Sequence, residues 1–241
     1  AGAFPLTQVV GELTAFADRA LDCAIRTAIA ERTDSDAADG FIALALGKQG
    51  AGELNYSSDI DPILLFDRER LARRASDDPG DAAQRYARRI VALLSSSTAD
   101  GYALRVDLRL RPASEVSPLA IPIEAALTHY ESSALAWERA AFIKARSAAG
   151  DVAAGERFLA AIRPFVWRRS LDFGAIGDIR RLSVRIRACH AGPREPRPGF
   201  NVKLGRGGIR EIEFFAQTHQ LIHGGRDPSL RVRGTCAALR A

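Results

Sequence analysis

Two aspartates one residue apart, Asp59 and Asp61 in NYSSDIDPILLFD, are the side chains of this sequence best suited to hold a divalent cation. In an extended segment side chains alternate, so both carboxylates face one side while Ile60, Pro62, Leu64 and Phe66 face the other. Paired hard oxygens suit Mg²⁺ or Mn²⁺, which commonly bind through one or two carboxylates together with the phosphates of a substrate. The same pair could simply close a solvated turn, where Asp is common. A second segment, DGYALRVDLRLRP at 100–112, also alternates. Tyr102, Leu104, Val106, Leu108 and Leu110 form its apolar face, and Arg105, Asp107, Arg109 and Arg111 its charged one. If this strand lies beside the Asp59 strand, Asp107 becomes a third metal ligand and the arginines meet the charge of a bound phosphate. Alone it would pass for an ordinary half-exposed strand. Three carboxylates and a row of arginines next to the glycine-rich turn LGKQG point to metal-dependent phosphoryl chemistry.

The chain holds 34 basic residues, of which only Lys48, Lys144 and Lys203 are lysines, so each retained lysine is worth a reason. An ammonium on a flexible stem binds phosphate as a point charge and is not freely replaced by a planar guanidinium. Lys48 lies in LGKQG, Lys144 in AAFIKAR and Lys203 in NVKLGRGG, and chance remains a rival explanation for so few instances.

These groups need elements to position them. Residues 6–31 are predicted as an amphipathic helix, followed by a loop (TDSDAADG), a strand at 41–47 and the metal strand at 59–67. A helix over 79–97 has Pro79 near its start and Tyr86, Ile90, Leu93 and Leu94 on its apolar stripe. The Arg-rich strand at 101–111 comes next. Beyond Pro112 the pattern turns helical: PIEAALTHYESSA, LAWERAAFIKARSA, then 153–168 and 174–191. GPREPRPG at 192–199 reads as a linker or exposed loop. Glycines then precede a last helix, which ends at Gly224 and Gly225. On it Arg210, Glu213, Gln217 and Gln220 share a polar face and Ile209, Ile212, Ala216 and His219 an apolar one, so Arg210, Glu211 and Glu213 are candidates for function and for scaffold alike.

A chain of 241 residues that is 47% hydrophobic can bury a substantial core, as one large domain or two small ones. The net charge of +5 would allow nucleic-acid binding, but the arginines are spread without a basic tail or aromatic interleaving, and a small phosphate-bearing substrate accounts for them equally well. Three widely spaced cysteines, Cys23, Cys189 and Cys236, suggest reduced thiols in a cytoplasmic protein. Neither a signal peptide nor a membrane-length apolar run is visible. The lack of any methionine suggests an excised or processed piece, or modified residues lost from the sequence, in which case true spacings would be longer.

The stretches LGKQGAGELNYSSDIDPILLFD, RVDLRLRP, WERAAFIKARSAAGD and KLGRGGIREIEFFAQTHQLIHGGRDPSLR, spread over residues 41 to 233, together resemble the bacterial glutamine synthetase adenylyltransferases, also called glutamate-ammonia-ligase adenylyltransferases. The resemblance implies an α/β fold with a polymerase-β-like nucleotidyltransferase core at 1–118, followed by a mainly helical region at 119–241. It also implies an excised half of a long enzyme with two such halves, one attaching AMP to a tyrosine of glutamine synthetase and the other removing it by phosphorolysis. GGIREIEFF together with NYSSDID looks like the N-terminal, deadenylylating half. On this resemblance Asp59, Asp61 and Asp107 bind the catalytic metals, while Gly47 and Lys48, with Ser57 and Ser58 close by, contact phosphate. Implied partners are glutamine synthetase, an adenine nucleotide, phosphate and, through the parent chain, a PII signal protein. AMP transfer from ATP and a weakly catalytic docking module are the alternatives. Pro62 departs from the aliphatic residue usual in the family, and a proline without its N–H belongs at a strand's edge or a bulge.

Other motifs fail. GKQGAG is neither GxGxxG nor a P-loop. His219 and His223 have a zinc spacing, yet HQLIH lacks the glutamate of HExxH and a third ligand, so they read as ordinary helix residues. Trp137, Ala141 and Lys144 would share a helical face, from which Lys144 could still reach a nucleotide.

Overall fold

The computed structural model of the chain describes residues 2–169 and 197–241, with Gly177, Arg181 and Val184 between them. The helix expected at 174–191, most of the 192–199 linker and Cys189 lie outside the described residues. The chain divides into two compact units, Ala1–Ala134 with Lys144–Arg163, and Leu135–Ile143 with Pro164–Ala241.

The first unit is built on a four-stranded mixed sheet in the order β3-β2-β1-β4. β1 (Phe41–Ala45) pairs antiparallel with β2 (Pro62–Phe66) on one side and with β4 (Arg146–Gly150) on the other, and β3 (Ala120–Pro122) runs parallel to β2. Every residue of β1 and β2 is buried, as a continuous apolar run demands when both faces of a sheet are covered. Phe41 and Ala43 of β1, with Leu64 and Phe66 of β2, meet the long helices α1 (Leu6–Ala30) and α3 (Pro79–Ser95) in one apolar cluster. α1 offers Ala17, Leu21, Ala24, Ile25 and Ala28, the helical spacing of a buried stripe, and α3 offers Ala83, Tyr86, Ala87, Ile90 and Leu94. α3 starts where Asp78 accepts the Asp81 N–H and Pro79 supplies the first helical φ. On the other face, α6 (Val152–Ala161) lies over Ile42 and Ser147, and Tyr130 of α4 (Ile123–Ser132) meets Phe158 of α6 edge-on at 6.2 Å.

Several expectations need correction. The glycine-rich turn is a short helix, α2 (Gly47–Ala51), closed by Gly52 in the left-handed region. Residues 101–111 form no strand; their pairing is two isolated bridges, an antiparallel one from Gly101 to Thr98 and a parallel one from Val106 to Ile60. Immediately after it the Asp107 carboxylate accepts the Arg109 N–H at 2.9 Å, a local bond that turns the backbone away from any ladder. The helix expected through Ser147 stops at Phe142 (α5, Ala136–Phe142), and the chain re-emerges as β4, which β1 recruits. The expected helix at 153–168 is two, α6 and α7 (Arg163–Val166). Pro62 sits comfortably because it opens β2, on the side where β3 does not yet pair.

In the second unit α8 (Ile209–His223) buries Ala216, Gln220 and Leu221 and exposes Ile209, Ile212 and Phe215, which reverses much of the expected facing. Gln220 is inside because its amide donates to the carbonyls of Leu230 and Val232, both at 2.7 Å. A short 3₁₀ turn and α9 (Thr235–Ala238) complete the described chain. No described helix is long and apolar enough to cross a membrane.

Candidate active site

Ile60 is the pivot of the site. Its N–H donates to the Arg105 carbonyl and its carbonyl accepts the Asp107 N–H, both at 2.9 Å, which pins the two segments side by side. Ile60 and Val106 point into the cluster beneath α1 and α3. By alternation Asp59 and Asp61 on one segment, and Arg105 and Asp107 on the other, project from the opposite face. The sequence-predicted carboxylates are therefore brought onto one surface, by a bridge of one residue pair instead of a strand.

Each carboxylate has its own support. Gly47 has φ +55, and a Cβ built there would stand 2.5 Å from Asp61 Oδ2, so the bare Cα makes the niche in which that carboxylate rests. The Leu46 N–H donates to the Asp61 carbonyl at 3.3 Å. Asp59 accepts from Arg105 Nε. The rest of the Arg105 fork donates to the Tyr102 hydroxyl at 2.8 Å, to Ser57 Oγ at 3.2 Å and to the Ser57 carbonyl. Arg109 grips both oxygens of Asp107, with Nε at 2.9 Å from each. That hydrogen bond holds the Asp107 carboxyl below its ordinary range, against a burial that pushes it up.

Lys48, exposed on α2, reaches Asn55 Oδ1 at 3.4 Å and Ser58 Oγ at 3.5 Å, and Ser58 in turn bonds Asn55. The lysine, Ser58 and Asn55 thus form one polar cluster, while Ser57, at φ +57, belongs to the Arg105 cluster. Arg111 stands apart. Four of its N–H groups go to the carbonyls of Leu108, Ser114, Ser117 and Pro118, so it shapes the 108–118 loop. Lys144 is buried in the segment entering β4, not on a helix, and its carbonyl lies where a Cβ at Gly50 would stand at 2.2 Å. Sequence reasoning did not anticipate the brace under α2. There Gln49, nearly fully buried, donates to Asp18 of α1 at 2.9 Å, and Arg146 of β4 donates to Asp18 at 2.8 Å and to the Gln49 carbonyl at 3.0 Å. Its signal in the sequence was only a glutamine between Lys48 and Gly50 and an arginine before Ser147.

The donor set suits a hard divalent cation, since Asp59, Asp61 and Asp107 share a face and Asp61 has a niche that only glycine leaves open. Among the described residues no three His, Cys, Asp or Glu side chains converge tightly enough to hold a metal ion in the present arrangement, in which arginines occupy Asp59 and Asp107.

Residues 1–161 match the family model of the glutamate-ammonia ligase adenylyltransferases. The chain belongs to that family. Residues 182–241 match a second model, that of the GlnD PII-uridylyltransferases. Among similar proteins are the bifunctional glutamine synthetase adenylyltransferase/adenylyl-removing enzymes of Rhizobium meliloti, 48% identical over 97% of this chain and 25% of the relative, and of Caulobacter vibrioides, 46% over 100% and 26%. The enzyme of the same name from Agrobacterium fabrum is 54% identical over 84% of this chain and 20% of its own length. The chain spans about a quarter of the length of the curated relatives it matches.

Proposed function

We propose that this chain is the adenylyl-removing nucleotidyltransferase unit of a bifunctional cytoplasmic enzyme acting on glutamine synthetase. The reaction is attack of orthophosphate on the AMP phosphorus of an adenylylated tyrosine, giving ADP and free tyrosine. The observation that carries the reading is the Ile60–Val106 bridge, which sets Asp59, Asp61 and Asp107 on one face with Arg105 and Arg109 among them. A bound Mg²⁺ or Mn²⁺ pair would supply Lewis-acid charge to the attacking and leaving oxygens. Asp59 and Asp61 would hold those cations, Asp107 would complete the set, and Gly47 would keep Asp61 in place. Lys48 and the guanidinium of Arg109 would orient the phosphate oxygens, with Ser58 beside the lysine. None of these groups needs to move a proton, because phosphoryl transfer asks chiefly for positioning and charge. A PII-type signal protein would act through the rest of the parent chain.

The test supplies adenylylated glutamine synthetase with Mg²⁺ and follows nucleotide release as phosphate is varied. Saturable, phosphate-dependent ADP release by the wild-type chain, lost in Asp59→Asn and Asp61→Asn, is the expected result. Incorporation of AMP from ATP into the unmodified synthetase, without ADP release, would assign the opposite direction of transfer. No turnover in either assay would leave a docking module.

A further inference from the structure

Asp59 is held by an arginine that is itself held in place. Arg105 Nε donates to Asp59, and the other arms of the fork donate to the Tyr102 hydroxyl, Ser57 Oγ and the Ser57 carbonyl. Ser57 takes a left-handed φ of +57, uncommon for a residue with a Cβ, and in that conformation presents its carbonyl to the guanidinium. Tyr102 is 47% exposed, although it begins the apolar alternation of its segment, and its ring lies 5.9 Å from the Arg105 guanidinium carbon. A large aromatic kept out of the core, with its hydroxyl on an arginine, serves that arginine.

A guanidinium and a divalent cation cannot both take the same lone pairs of one carboxylate oxygen. We propose that Arg105, braced by Tyr102 and Ser57, competes with the divalent cation for Asp59, so that Tyr102 is a positioning residue that sets metal affinity through Arg105. The inference rests on the reading of Asp59 as a metal ligand. The brace raises the metal concentration at which Asp59 changes partner, because leaving the carboxylate also strains three other hydrogen bonds. Tyr102→Phe removes one of those bonds without changing any charge, which separates the brace from the general repulsion between an arginine and a cation.

The experiment is a Mn²⁺ titration of the full chain without nucleotide, read by the electron paramagnetic resonance signal of free Mn²⁺. Arg105→Gln should bind Mn²⁺ about two- to five-fold more tightly, the scale of one exposed ion pair. Tyr102→Phe should bind about two-fold more tightly, the scale of one weakened hydrogen bond. Thermal melts confirm that each variant is folded, and because Tyr102 lies outside the core its substitution decides the matter even if Arg105→Gln does not fold. Wild-type Mn²⁺ affinity in Tyr102→Phe would overturn the brace. Wild-type affinity in Asp59→Asn is a separate failure, since it would remove the metal from Asp59 altogether and this proposal with it.

Discussion

Asp61 depends on an atom that is missing. The Gly47 Cα leaves room for the Asp61 carboxylate only because no Cβ projects there, 2.5 Å from Oδ2. Gly47→Ala should therefore do two things at once. It should cost about 1 to 2 kcal/mol of stability, the penalty of a left-handed φ in an L-residue, and it should push Asp61 off its face and weaken Mn²⁺ binding. Asp61→Asn should lose turnover while still unfolding cooperatively in a thermal melt, because the substitution keeps the side chain's size and removes only its charge. A Gly47→Ala protein with wild-type Mn²⁺ affinity would disconnect the niche from the metal. Asp107 carries a pH signature. Its folded carboxyl titrates below its unfolded value, so the Arg109 pair contributes stability above the ordinary carboxylate range, and that contribution fades as pH falls below about 4. Urea unfolding of wild type and Asp107→Asn should show a difference at pH 7 that closes on acidification; a gap that widens instead would reverse the sign of the shift. At this scale alternation singled out Asp59, Asp61 and Asp107, but the strands expected to carry them at 59–67 and 101–111 do not form around them: β2 opens only at Pro62, and the two segments meet through the Ile60–Val106 bridge. What alternation could not give is the partner of each group: that Arg105 would grip Asp59, or that Arg111 would spend its donors on the 108–118 loop.

Among the elements, Asp151 joins more pieces than its place at the start of α6 suggests. Its carboxylate accepts the Ala154 N–H at 3.0 Å as a cap and the Gly40 N–H at 3.2 Å, and Arg70 lies 2.8 Å away. Burial pushes this carboxyl up, and the two backbone bonds with Arg70 more than offset it, so the net shift is downward. Asp151→Ala should cost about 1 to 2 kcal/mol, the upper range for a lost cap, because Gly40 also loses its acceptor. A chemical-denaturation midpoint equal to wild type would contradict that assignment. The helices α1 and α3 were readable from their stripes and, for α3, from Pro79 near its start. β4 was not, since RSAAG holds no β-branched or aromatic residue and becomes a strand only because β1 offers an unpaired edge. The run at 101–111 shows the converse: alternation from Leu104 to Arg111, yet no strand, because the Asp107 side chain bonds the backbone of Arg109 before a ladder can continue from the Val106 bridge. α8 was misfaced for a similar reason, as Gln220 is buried by two carbonyls that lie 10 and 12 residues further along the chain.

For the molecule as a whole, a buried sheet covered on both faces carries a charged patch just before the start of β2, and the brace from Asp18 through Gln49 to Arg146 ties α1, α2 and β4 together. Such a platform keeps three carboxylates and two guanidiniums in register without relying on a long strand at 101–111. On the proposed function, this platform removes an adenylyl group from a protein tyrosine. The most direct measurement is the intact mass of the glutamine synthetase subunit, adenylylated beforehand and incubated with this chain, Mg²⁺ and orthophosphate. The subunit should lose the mass of one adenylyl group, ADP should appear in equal amount, and neither change should occur with Asp59→Asn. An adenylylated subunit that keeps its full mass, or an unmodified subunit that gains an adenylyl group when ATP is supplied, would contradict that function.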